Sequence, residues 1–155
     1  MTETIYFDTC ALNRLNDDLT QLRVRRESEA VAQILDWVID GKIRWIASTV
    51  LQAEVARNPD PIRRVDTLRL LSSAVQIITP TLSTRSQAAV FVAKGLGDDD
   101  ALHLAVAQQS GVQYLITTDD RFLNAARRLT PGKLPEVINP VNWLQRRHPW
   151  LLPRP

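Results

Sequence analysis

Acidic side chains recur in this chain directly beside apolar runs. The stretch GLGDDDALHLAVAQQSG, residues 95–111, sets Asp98, Asp99 and Asp100 in a row before an almost wholly apolar segment. Asp8 closes the aromatic run TIYFD, Glu54 lies inside VLQAEVA, and Asp119 and Asp120 follow LITT. Each acid alone has an ordinary structural role. Asp8 can open a loop and cap a helix, and Glu54 can face solvent. Asp119 or Asp120 can cap RFLNAARRL, and one member of the Asp run can cap its own helix. Acids in a first turn also favour the helix dipole. The joint pattern asks for more. Converging carboxylates repel one another unless something neutralises them. A hard divalent cation with oxygen ligands does so, and Mg²⁺ or Mn²⁺ on a few carboxylates suits phosphodiester chemistry.

The segments that must position these acids alternate between strand and helix. Short β-rich runs are expected at 4–8 (TIYFD), 43–48 (IRWIAS), 75–79 (VQIIT) and 112–118 (VQYLITT), with a last edge strand in EVINP. Helical spacing places helices at 28–40, with Val31, Ile34, Leu35 and Val38 on one face, and at 49–57. Further helices are expected at 61–72, with Ile62, Val65 and Leu68 sharing a face, at 82–93, from the Asp run to Ser110, and at 119–129. Gly41 and Gly111 mark two helix ends, PGKLP reads as a turn, and the tail VNWLQRRHPW is amphipathic. Alternating strands and helices imply βαβ crossovers, hence a parallel sheet with helices on both faces. Ligands of such sheets sit outside the carboxyl ends of the strands, where Asp8 and Asp119 fall.

The 155 residues fit one domain with a core, and 45% hydrophobic against 23% charged residues excludes a disordered chain. The net charge of +2 does not by itself announce a nucleic-acid binder. Arginine nevertheless far outnumbers lysine and comes in clusters, among them Arg23, Arg25 and Arg26, and Arg63, Arg64 and Arg69. Arginine is well suited to bidentate phosphate contacts; each cluster also reads as a solvated helix face, and the arginines of 61–72 are expected to meet a nucleic-acid backbone or a protein partner without bearing on stability. The single cysteine, Cys10, excludes an internal disulfide and reads as a small buried hydrophobe. The start lacks a signal-peptide pattern and no apolar run reaches membrane-span length, so a cytoplasmic protein is expected.

Taken in order and spacing, YFDTCALNRL, STVLQAE, DALHLAVAQQSG and LITTDDRF resemble PIN-domain ribonucleases, and within them the VapC-like toxins of type II toxin–antitoxin modules. The resemblance covers nearly the whole chain. It implies an α/β fold, a single PIN-like domain over 1–155 with a five-stranded parallel sheet and a short amphipathic tail from about residue 140. It also implies Mg²⁺- or Mn²⁺-dependent cleavage of RNA, a cognate antitoxin and a homodimer. Matched residue by residue, the four acids of the family fall on Asp8, Glu54, Asp100 and Asp119, as metal ligands and catalytic groups. Asp100 directly precedes ALHLA, and Asp119 directly follows two threonines. Thr118, Asp99 and Asp120 are supporting positions, and Thr9 and Ser48 can add hydrogen bonds. Asp98 is assigned as the N-cap and Asp99 to the exposed first turn.

His103 lies one turn beyond Asp99 and Asp100. A general base is one role for it. Packing, or orienting a carboxylate, is the favoured one, since metal-activated water removes the need for a base. His148 in the tail is expected at the surface. The tryptophans form no stacking stripe for single strands.

Two other folds also place an Asp after the first strand. A phosphatase of the haloacid-dehalogenase type wants a second Asp two residues on, where Cys10 stands. A receiver domain wants a Lys after its last strands, and TTDDRF has none. The readings that stay open are a toxin ribonuclease, a PIN-fold RNA-processing nuclease without an antitoxin, and a non-catalytic interaction domain.

Overall fold

A computed structural model describes residues 2–129 and 134–147. Most of PGKLP, and the tail from His148 onward, lie outside the described residues. The elements in chain order are β1 (Glu3–Phe7), α1 (Thr9–Asn13), α2 (Leu22–Ile39), β2 (Ile43–Ser48), α3 (Thr49–Ala56), α4 (Pro61–Leu70), β3 (Gln76–Ile78), α5 (Leu82–Ala93), α6 (Asp98–Ser110), β4 (Tyr114–Ile116), α7 (Asp120–Ala126), β5 (Glu136–Ile138) and α8 (Pro140–Arg147).

The five strands form one parallel sheet in the order β3-β2-β1-β4-β5. The α/β architecture expected from the alternation is therefore present. Side chains along the strands divide between two faces with period two. Ile5, Phe7, Trp45, Ala47, Ile116 and Ile138 join one core with residues of α2, α3 and α8. Tyr6, Ile46 and Leu115 join a second core with residues of α5, α6 and α7. Both faces are covered, as a parallel sheet requires.

The chain winds outward from β1 to β2 and β3, then returns to lay β4 on the other side of β1. The direction of winding thus reverses between β1 and β4, and a crevice opens beyond their carboxyl ends. Phe7 pairs with Ile116, and the Asp8 amide donates to the Ile116 carbonyl at 3.2 Å. Asp8 and the segment Thr117–Asp119 therefore start from the two lips of that crevice.

Three local expectations change. The second helix begins at Leu22, not Ser28, because its first turns keep Val24 in the core and bury Glu27. In α4, Ile62 and Val65 are exposed while Thr67 is buried. The cause is Arg63, whose guanidinium turns inward to Asp17 (2.9 Å) and the Asn16 carbonyl (2.5 Å), while Arg64 donates to the Asn58 carbonyl at 2.9 Å. The polar anchors fix the helix rotation and put the apolar pair outside. Two of its three arginines are thus held by neighbouring loops and do not form a free basic face. Third, Cys10 is exposed, since it lies on the outward side of the short helix whose Ala11 and Leu12 are buried.

Candidate active site

Asp8 is buried and serves as N-cap of α1, accepting from the Ala11 amide at 3.0 Å. Its second oxygen accepts a hydrogen bond from the Thr117 hydroxyl, whose own oxygen takes the Asp119 amide at 3.1 Å. Thr117 thus fastens the two lips of the crevice to each other. Thr118, the threonine expected to assist, is buried and offers its carbonyl to Arg23 at 3.3 Å. Asp119 caps α7 through the Arg121 amide at 2.9 Å.

The Asp run resolves into separate roles by helix geometry. Successive residues turn about 100° around the axis, so three neighbours cannot share a side. Asp98 and Asp99 are exposed, whereas Asp100 is half-buried. Gly97, not Asp98, is the N-cap. Asp98 already belongs to the helix as its first residue, which corrects the cap assignment; glycine is an accepted cap, and the acids of the first turn meet the dipole instead.

Electrostatics tie Asp8, Asp100 and Asp119 together. Burial pushes the Asp8 carboxyl up to about 6, against the opposing Thr117 hydrogen bond and His103, and the charge of Asp119 adds to the rise. Asp100 is likewise pushed up to about 6, by burial and then by the charges of Asp119 and Asp8. Asp120 stands apart: it is exposed and accepts both arms of the Arg23 guanidinium at 2.8 Å.

Glu54 enters from α3. One oxygen accepts from the Thr9 hydroxyl and the other meets His103 Nε2 at 3.0 Å. Burial raises its pKa, but His103, Thr9 and Arg57 outweigh that and hold it below the ordinary range. His103 is itself buried, with Nδ1 2.6 Å from the Tyr6 hydroxyl, which lies 2.6 Å from Ser48 Oγ. Ser48 Oγ accepts the Leu51 amide at 3.0 Å. A consistent assignment of protons follows. Ser48 donates to Tyr6, Tyr6 donates to His103 Nδ1, and Nε2–H donates to Glu54. Every atom of this buried chain is then satisfied. Burial disfavours the imidazolium, but the Glu54 hydrogen bond and the charges of Glu54, Asp8 and Asp100 raise the His103 pKa overall. With both ring nitrogens engaged, His103 orients a carboxylate.

The donor set suits a hard cation. All four groups are carboxylates, and two, Asp8 and Asp100, have pKa values raised by burial first and by neighbouring acids second, the state a bound cation relieves. Among the described residues no three His, Cys, Asp or Glu side chains already form a metal-binding group. Mg²⁺ does not require one, since it keeps several waters and takes one or two carboxylates. A separate hollow of about 470 Å³ between α7, β5 and α8 contains none of these acids.

A PIN-domain family model matches residues 5–128, a span holding all four acids. The chain belongs to the PIN-domain family. This PIN-domain chain is also 32% identical over 136 residues to Ribonuclease VapC35 of Mycobacterium tuberculosis (strain CDC 1551 / Oshkosh), covering 81% of the chain and 92% of the relative. The same figures hold for Ribonuclease VapC35 of strain ATCC 25618 / H37Rv. No described helix of the PIN-domain chain is long and apolar enough to cross a membrane.

Sequence reasoning missed Thr117 and Tyr6. Thr117 stands two residues before Asp119, and an ST-type turn at a strand end would have singled it out. Tyr6 points to the α6 face because strand neighbours alternate, and a buried tyrosine needs a partner for its hydroxyl. Its burial also raises its pKa well above the ordinary range.

Proposed function

We propose that this PIN-domain protein is a Mg²⁺- or Mn²⁺-dependent endoribonuclease, acting in the cytoplasm on RNA phosphodiester bonds. The observation that carries the reading is the meeting of Asp8, Asp100 and Asp119 at the β1/β4 crevice, where burial first and neighbouring acids second raise the pKa values of Asp8 and Asp100, with Glu54 held nearby through His103. The ribonuclease name of the relatives supports RNA as the substrate. The VapC-like resemblance extends the reading to a toxin of a type II module, a cognate antitoxin and a homodimer.

Asp8, Glu54, Asp100 and Asp119 are the residues that would hold the cation. The chemistry such an ion supplies when bound is charge neutralisation at the scissile phosphate and acidification of water. The chain's own residues prepare the site. Thr117 fixes Asp8 and spaces it from Asp119; Thr9 and His103 fix both oxygens of Glu54. His103 keeps its Nε2 proton on Glu54 and so keeps that carboxylate charged. Burial of Asp8 limits water around the acids, which strengthens their hold on a cation.

The test is degradation of labelled RNA by purified protein with Mg²⁺ or Mn²⁺. Cleavage should stop with EDTA. Activity that survives EDTA would sink the metal-dependent reading.

A further inference from the structure

A groove of about 660 Å³ leads away from Asp119 along α1 and the start of α2. Arg14, Arg23 and Arg121 line it together with Asp17, Asp119 and Asp120. We propose that this groove carries the sugar–phosphate backbone of the RNA strand flanking the scissile bond, and that Asp120 occupies the phosphate position on Arg23 until RNA displaces it. The inference rests on the ribonuclease reading and deepens it.

The three arginines are not equivalent. Arg14 is fixed by Asp17 at 2.7 Å and by the buried Glu27 at 3.0 Å, so it is structural. Arg121 is exposed, and its side chain makes no hydrogen bond or ion pair with the described residues. Arg23 is intermediate. Its Nη1 and Nη2 both donate to Asp120 at 2.8 Å, and both side chains are more than half exposed, at 53% and 61%. An exposed ion pair is worth only about 0–1 kcal/mol, so exchanging this carboxylate costs little. A phosphate offers the same bidentate geometry. When Asp120 leaves, Arg23 is still held by the Thr118 carbonyl at 3.3 Å and by Glu27 at 3.4 Å. The guanidinium therefore waits in a fixed orientation beside the segment that supplies Asp119, which lowers the ordering cost of binding. A strand crossing the acid cluster meets four negative groups; the groove cations offset that repulsion where the strand leaves it.

The displacement makes a prediction with an unusual sign. Removal of a surface acid next to the active site should improve substrate capture. The test is steady-state cleavage of a short fluorophore–quencher single-stranded RNA in Mn²⁺. The variants are Asp120→Asn, Arg23→Gln, Arg121→Gln and the double Arg23→Gln/Asp120→Asn. Asp120→Asn should lower KM several-fold with kcat held. Arg121→Gln, which breaks no recorded contact, and Arg23→Gln should each raise KM about tenfold and reduce the salt slope by about 0.7, as loss of one single-strand phosphate contact does. In the Arg23→Gln background the gain from Asp120→Asn should vanish, since coupled residues are non-additive. If that gain persists, Asp120 acts through bulk charge and the displacement is overturned. If neither arginine variant moves KM while wild type cleaves, the groove serves another partner, such as an acidic protein, and the proposal fails alone. If wild-type protein cleaves no RNA, the ribonuclease reading fails and takes the proposal with it.

Discussion

Asp8→Asn should stabilise the metal-free protein at neutral pH while abolishing its chemistry. Asp8 is 2% exposed, and its pKa rises from 3.8 to about 6 in the folded chain. An acid with a raised folded pKa binds more protons folded than unfolded between those values. Its contribution is therefore fully present below about 4 and is lost as pH rises through 6. The rise from 3.8 to about 6 sets the cost of the buried charge at about 3 kcal/mol above pH 7. Asparagine removes the charge and keeps an oxygen for the Ala11 amide, since Asn is as good a cap as Asp. The Thr117 hydroxyl must turn from donor to acceptor, which returns about 1 kcal/mol. The net gain is about 2 kcal/mol, or roughly 4–8 °C in melting temperature for a domain of this size. Thermal melts in EDTA from pH 4 to pH 8 measure it. Near pH 4, where the charge cost is gone, the variant should melt lower by the equivalent of that ~1 kcal/mol at Thr117, and above pH 6 it should melt higher. His103, whose pKa is also raised, loses its contribution with rising pH in both proteins. Added Mn²⁺ should reverse the order, because only wild type gains from binding. Equal melting temperatures at pH 8 in EDTA, or a variant that melts lower there, would refute the cost of the buried Asp8 charge on which the site is built.

Within the Asp run, Asp98→Ala should change stability by no more than about 0.5 kcal/mol, as for an ordinary exposed position, and leave cleavage intact. Asp100→Asn should eliminate cleavage in the same RNA assay. His103→Gln should cost about 1–3 kcal/mol by breaking the buried chain from Ser48 to Glu54, and raise the Mn²⁺ concentration needed for half-maximal cleavage; an unchanged Mn²⁺ dependence would reduce His103 to packing. Arg63→Gln should lower the melting temperature by the equivalent of about 1 kcal/mol, because Asp17 and the Asn16 carbonyl lose their donor. Cys10 is exposed as a residue, but desolvation around its sulfur, and then Asp8, Asp119 and Asp100, push the thiol up to about 12. It should alkylate far more slowly at pH 8 than free cysteine despite its exposure, and faster in the Asp100→Asn variant.

The fold was legible because its signals are local and repeated. The alternation of apolar strands with helical spacing gave the parallel sheet, and IRWIAS was bounded to the residue because Gly41 and Ser48 punctuate it. The placement of Asp8 and Asp119 just past strand ends was legible because strand ends can be read from the apolar runs before them. Roles that depend on rotation about a helix axis were less so. The Asp run gives no clue to which residue turns inward, since the apolar residues after it surround the axis almost evenly. Ile62 and Val65 misled because the anchors of Arg63 and Arg64 lie in loops distant in sequence or at the helix start. The pairing of Arg23 with Asp120, 97 residues apart, exists only once β4 is laid beside β1.

The acids at the β1/β4 crevice are proposed to perform the cleavage. The most direct measurement is the single-turnover rate of RNA cleavage at saturating Mn²⁺ for wild type and Asp8→Asn side by side. The rate should fall at least 10²-fold in the variant, as for loss of a group that stabilises transition-state charge. A variant that cleaves within a few-fold of wild type would contradict it.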